Sequence, residues 1–183
     1  MTLNIGNRPP SFSLPAAGGG HALFEPGDGI TVVVFTCNHC PYARAWHERI
    51  QKVAQDYTGR VTVLQINSND SSRQPLDSFE SMEAREAGGD FSSPYLRDED
   101  QSVAKAWDAM VTPDVFIIDA EGELAYHGAP DGSYDDDSAN AEWIRSALDD
   151  LIAGRRVAEP VTSPKGCGIK WKQASGLTIG SRP

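Results

Sequence analysis

The chain has 183 residues, 39% hydrophobic and 23% charged, and carries a formal net charge of −10. That length supports one full domain with a core and is tight for two, and the composition excludes a disordered chain. The acidic excess makes nucleic acid and anionic membrane poor partners, because both are polyanionic.

The opening MTLNIGNRPPSFSLP has no basic stretch followed by a long apolar one, so no signal peptide is expected. No apolar run approaches the roughly 20 residues that span a bilayer. The expected location is therefore cytoplasmic and reducing. The first 30 residues are punctuated by Pro9, Pro10, Pro15 and Gly18 to Gly20, which make extended, turn-filled chain. Phe12 and Leu14 alternate with serines as in a short edge strand, and Ala22 to Phe24 suggests another.

Thr31 to Phe35 reads as a central strand, β-branched and apolar on both faces. After a polar break at Thr36 to His39, a helical period begins, with Trp46, Ile50, Val53, Ala54 and Tyr57 on one side and Gly59 as its stop. Val61 to Ile66 is a second central strand, which completes a parallel β-α-β unit. Asn67 to Arg73 reads as a polar loop. Helices are expected at Ser78 to Ala87 and Ser102 to Ala109, with Asp98, Glu99 and Asp100 as a solvated helix start. Val115 to Ile118 and Leu124 to His127 form a hairpin. Gly128 to Ser138 is an acidic surface loop, whose Asp135 to Asp137 lack the rest of a calcium loop. Ala141 to Ala153 is the last helix. Trp107 and Trp143 are expected in the core.

Three cysteines, an odd number, speak against a secreted disulfide scaffold. Two of them form Cys37-Asn38-His39-Cys40, at the end of a buried strand and the start of a helix. A helix N-terminus offers unpaired N–H groups and partial positive charge, which stabilise a thiolate. On this reading Cys37 is the exposed nucleophile of depressed pKa and Cys40, one turn on, closes the disulfide. A charged His39 between them favours the thiolate, and Pro41 suits the first turn. The same spacing is half a metal site. Cys167, His39, His47 and His127 are the candidates to complete it, though none has paired spacing.

FTCNHCPYA, followed much later by TPDVFIID, resembles the thioredoxin-like superfamily. IGNRPPSFSLP resembles the start of its AhpC/TSA, or peroxiredoxin-like, branch. YLRDEDQSVAKAW and SPKGCGIKWK extend the likeness to an uncharacterised peroxiredoxin-like group with a C-x-x-C motif. The resemblance implies an α/β thioredoxin fold: a central mixed sheet with helices on both faces, an N-terminal extension, a domain over residues 1–155 and a tail over 156–183. It implies Cys37 as the attacking and Cys40 as the resolving cysteine. It also implies a cis Thr112–Pro113 bond beside them, with the Thr112 backbone free to pair with a substrate chain. The bare sequence allows a trans Pro113 equally well.

Neither cysteine has the Thr three residues upstream that frames the peroxidatic cysteine of true peroxiredoxins: Cys37 stands there before Cys40, and Val34 before Cys37. The expected activity is therefore thiol–disulfide exchange with protein or small-molecule disulfides, renewed by a separate dithiol reductant and needing no organic cofactor. Thiol peroxidase and metal binding or delivery are the alternatives. Cys167 lies between glycines with lysines nearby, in a basic tail facing an acidic domain. It is expected to dock near Cys37 and Cys40, anchored by Ile169 and Trp171, as a second resolving thiol; the competing reading is an idle thiol.

Overall fold

A computed structural model describes residues 3–173. Phe12–Pro15 (β1) and His21–Phe24 (β2) pair antiparallel, with Phe12 opposite Phe24. Thr31–Phe35 (β3), Pro41–Asp56 (α1) and Thr62–Asn67 (β4) make the expected parallel unit, with Val33 opposite Leu64. A 3-10 turn at Pro75–Asp77 leads into Phe79–Ala87 (α2), where Ser78 Oγ caps the Ser81 N–H. Tyr95–Arg97 (β5), Ser102–Ala106 (α3), Val111–Thr112 (β6), Asp114–Ile118 (β7), Leu124–Gly128 (β8) and Glu142–Ile152 (α4) follow, and Cys167–Gly168 (β9) closes the series.

The main sheet has the order β5-β4-β3-β7-β8, parallel across β5, β4 and β3 and antiparallel on the other side. This is the mixed sheet of a thioredoxin-like fold. Strand alternation sends successive β3 residues to opposite faces. Val32 and Val34 join Trp46, Ile50 and Val53 of α1 and Ile144 and Leu148 of α4. Val33 and Phe35 join Val103 and Ala104 of α3, Trp107, and Phe12 and Phe24 of the hairpin. Both faces are thus covered, which is why β3 carries no polar position among its inner residues. In α1 the buried residues recur at helical spacing and Pro41 occupies the first turn. No helix among the described residues is long and apolar enough to cross a membrane.

Several expectations change. Tyr95–Arg97 is an edge strand that the sequence pattern does not announce. The third helix stops at Ala106, because Asp108 takes a left-handed conformation, φ 58°. Asp98 is not solvated: it is fully buried, where it accepts from the Ala104 N–H at 2.9 Å and the Ser68 hydroxyl at 2.8 Å. Its charge is held by the open N–H groups at the start of α3. Asp131, placed in the acidic surface loop, is buried as well and accepts from Trp46 Nε1 and Arg49. Trp107 is fully buried, whereas Trp143 packs only partly against the core.

The tail runs back across the domain. Ile169 is buried, and Trp171 packs against the same cluster. The Lys170 carbonyl accepts from the Asp70 N–H and from Gln101, and its own N–H donates to Asn69 Oδ1 at 2.8 Å. Residues 174–183, Arg182 among them, lie outside the described residues.

Candidate active site

The end of β3 delivers Cys37, and Pro41 fixes the start of α1, so Cys40 occupies the position just before the first helical residue. Between them Asn38 and His39 are held from the opposite side by one carboxylate. Asp77 is fully buried. Its Oδ1 accepts the Asn38 backbone N–H at 2.6 Å and the Asn67 amide at 3.2 Å. Its Oδ2 meets His39 Nδ1 at 2.5 Å and the Asn69 amide at 2.9 Å. The Asn38 side chain is itself fixed by Leu76 O, Arg85 and Tyr95. The short C-x-x-C loop is therefore rigid by hydrogen bonding rather than by packing. Asn67 and Asn69 escape the sequence reading, which treats Asn67 to Arg73 as a polar loop, and Asp77, in the turn beyond it, is not singled out either. The available signal was the position of that loop directly after a buried strand.

The Thr112–Pro113 bond is cis, and Thr112 lies against both thiols. Its hydroxyl is 3.2 Å from Cys37 Sγ, and its carbonyl oxygen is 3.2 Å from Cys40 Sγ. Cys167 completes the cluster: it packs against Cys37, Cys40 and Ala43. All three cysteines are free thiols. The structure thus brings together Cys37, Cys40, Thr112, Pro113 and Cys167, all five residues singled out from the sequence.

Three expectations about them are corrected. Cys37 is not exposed: it is 3% accessible and Cys40 is 0%. The Thr112 backbone is not free, because β6 pairs antiparallel with β9, Thr112 opposite Cys167 and Val111 opposite Gly168.

The third correction concerns charge. The Cys37 thiol is pushed far up, first by its hydrogen bond to Cys40, then by burial and the Asp77 carboxylate. Cys40 is lowered to about 4, first by the hydrogen bond from Cys37 and, against burial, by bonds from Cys167 and the Ala43 N–H. The Thr112 carbonyl beside Cys40 pulls the other way, since it accepts only from a protonated thiol. In the coupled pair the direction is therefore that Cys37 holds its proton and Cys40 is the more readily ionised sulphur. Cys40 is also the residue next to Pro41 at the N-terminus of α1, where helix N–H groups are unpaired, a position that Cys37 does not share. Cys167 is raised to about 11 by burial and by the neighbouring Cys40.

Of the histidines weighed as metal ligands, only His39 joins the site. His47 Nε2 faces the Asp90 carbonyl, and His127 Nε2 pairs with Asp114 at 2.8 Å. Cys37, His39 and Asp77 place one potential ligand atom each within 4.8 Å of one another.

The AhpC/TSA family pattern matches residues 5–127, well over half of the chain. The chain belongs to the AhpC/TSA family. Two solved structures are similar over almost their whole length. An uncharacterized conserved protein from Geobacillus kaustophilus is 38% identical, with 95% of each chain covered and a TM-score of 0.88. A hypothetical protein from Sinorhizobium meliloti 1021 is 34% identical, covering 95% of this chain and 98% of that one, with a TM-score of 0.88. Peroxidoxin BcpB from Mycobacterium tuberculosis is 20% identical over 84% of this chain and 99% of its own, TM-score 0.63, a likeness of fold alone. No curated protein matches the chain. With its cysteine pair at the expected junction of β3 and α1, this AhpC/TSA protein is a redox-active enzyme of thioredoxin-like fold.

Proposed function

We propose that this AhpC/TSA protein is a thiol peroxidase that turns over small hydroperoxides at Cys40. One observation carries the reading: β9 covers the β6 edge at Thr112. A protein disulfide docking as an added strand needs that edge open. Two cysteines of 3% accessibility or less, under a closed edge, favour an oxidant the size of a peroxide. This reverses the ranking drawn from sequence, where disulfide exchange came first.

In the proposed reaction the Cys40 thiolate attacks the terminal oxygen of a hydroperoxide. The O–O bond breaks, the departing alkoxide or hydroxide takes up a proton, and Cys40 becomes a sulfenic acid. The Cys37 thiol then attacks that sulphur. The S–S bond forms, the S–O bond breaks, and the hydroxide leaves as water with the Cys37 proton. A cytoplasmic dithiol returns the pair to the reduced state. Thr112 holds Cys37 in place through its hydroxyl, and Pro113 shapes the turn that presents it.

The expected result is rapid consumption of hydrogen peroxide by the reduced protein in the presence of a dithiol, abolished in Cys40→Ser. Inertness to peroxide combined with ready reduction of a protein disulfide would return the assignment to disulfide exchange.

Metal binding has one specific observation behind it, the Cys37–His39–Asp77 grouping, whose donors suit zinc. Asp77 already accepts four hydrogen bonds, so an ion there must displace some of them. Titration of the reduced protein with Zn²⁺ is expected to show weak binding. Tight one-to-one binding that is lost in His39→Ala would favour the metal reading instead.

A further inference from the structure

We infer that Cys167 is a second disulfide partner of Cys40 and the sulphur at which an outside dithiol enters the site. The inference rests on the thiol chemistry proposed above for Cys37 and Cys40.

The approach of Cys167 is built, not incidental. Its strand is in register with the cis-proline strand, and the Ile169 N–H donates to the Met110 carbonyl at 3.0 Å. Gly166 permits this closeness: a Cβ there would lie 2.2 Å from the Thr112 carbonyl oxygen and 2.7 Å from its carbon. Downstream, Lys170 is bound by Asn69, Asp70 and Gln101, so the chain is held just beyond the C-terminal end of β9. The Cys167 side chain packs against the cluster of Cys37, Cys40 and Ala43.

Access decides what this contact does. Thiol–disulfide exchange needs a nucleophile to approach a sulphur directly. In a Cys37–Cys40 disulfide neither sulphur is open to a protein-sized reductant, since their residues are 3% and 0% accessible. Cys167 is only half-buried. Exchange brings the disulfide outward. The Cys167 thiolate attacks Cys40 Sγ, the Cys40–Cys167 bond forms, the Cys37–Cys40 bond breaks, and Cys37 leaves with the pair of electrons. The proton given up by Cys167 ends on Cys37, so the step is neutral in charge and in oxidation state.

Two features of the site favour the sequence. Once Cys40 is in a disulfide, the Cys40 charge that helps hold Cys167 near 11 is absent, and so is the Cys40 bond that is the first cause of the high Cys37 value, which makes Cys37 a better leaving group. When an outside dithiol then attacks Cys167, the leaving group is Cys40, the thiol of lowest pKa in the site, and a thiol of low pKa leaves fastest.

The test uses the full chain, in wild-type, Cys37→Ser and Cys167→Ser forms, oxidised with an equivalent of hydrogen peroxide and, in a second arm, with diamide. After acid trapping and trypsin, cleavage at Lys165 and Lys170 releases Cys167 in the peptide GCGIK. That peptide is expected disulfide-linked to the Cys40 peptide in part of the wild type and in most of Cys37→Ser. Steady-state turnover with reduced thioredoxin as donor is expected to fall at least about tenfold in Cys167→Ser, with near-ultraviolet circular dichroism confirming its fold. Oxidised Cys40 without any GCGIK linkage in Cys37→Ser overturns the inference, as does undiminished turnover of Cys167→Ser. If peroxide leaves all thiols reduced, the peroxidase reading fails alone, and the diamide arm still decides the role of Cys167.

Discussion

Replacing Cys37 with alanine is expected to lift the Cys40 titration from about 4 by several units, towards but not reaching the ordinary thiol value of about 8.5. The bond from the Cys37 thiol is the largest cause of the low value, and alanine removes it. The Ala43 N–H and the start of α1 remain and keep the thiol below the free range. Serine is the wrong replacement, because its hydroxyl also donates. In Cys40→Ala the change runs the other way, and Cys37 falls, having lost the first cause of its rise. Thiolate ultraviolet absorbance against pH, recorded in a Cys167→Ser background, reads both directly.

The sign fixes the pH profile. A depressed value means that the Cys40 thiolate is present above about 4 and is lost as pH falls through it. Peroxide consumption by wild type is therefore expected to be flat across neutral pH. That of Cys37→Ala is expected to rise about tenfold per pH unit below its new midpoint. If Cys37→Ala keeps a midpoint near 4, or if the lowest thiol survives in Cys40→Ala, the thiolate has been placed on the wrong sulphur.

The legible parts of this protein are those where a local pattern has one physical outcome. Thr31 to Phe35 can only be an inner strand, and the spacing of Trp46, Ile50 and Val53 can only be a buried helix face, so the β3-α1-β4 unit follows from the residues. Thr112–Pro113 was placed by resemblance, since composition is silent on whether the bond is cis. Ile169 and Trp171 were legible as anchors because a basic tail with apolar residues has an acidic domain to dock on.

What stayed hidden depends on partners distant in sequence. Asp77, Asp98 and Asp131 look like solvated acids until Asn38, Ala104 and Trp46 arrive from other elements to receive them. Arg97 ends a three-residue edge strand with 2% accessibility, a burial that only its bonds to Asp77 O and Glu99 make possible. The order of the two thiols turns on their bond to each other, the first cause of both shifts, which no residue pattern announces. The pairing of Thr112 with Cys167 joins strands 55 residues apart, and no periodicity in either segment encodes it.

Gly166→Ala is expected to unseat β9 and to change what the enzyme accepts. The added methyl meets Thr112 O at 2.2 Å, Thr112 C at 2.7 Å and Pro113 N at 3.2 Å. All three are backbone atoms, so no rotamer change relieves the clash, and one strand must move. β6 is continuous with the buried strand β7 through Pro113, whereas β9 is a two-residue strand at the edge. The tail therefore yields first, while Ile169 and Lys170 still hold the chain beyond it. Overpacking of this kind costs about 1–3 kcal/mol, read as a lower urea midpoint at unchanged m-value. With β9 displaced, the Thr112 backbone faces solvent as an open edge and can pair with an incoming chain. Reduction of a protein disulfide is expected to speed up in Gly166→Ala relative to wild type, while the yield of the GCGIK cross-link falls. The two changes move in opposite directions, which separates an opened edge from a damaged site, where both would fall. Wild-type stability together with a wild-type cross-link yield would mean that β9 does not seal this edge, and the size argument for a peroxide substrate would go with it.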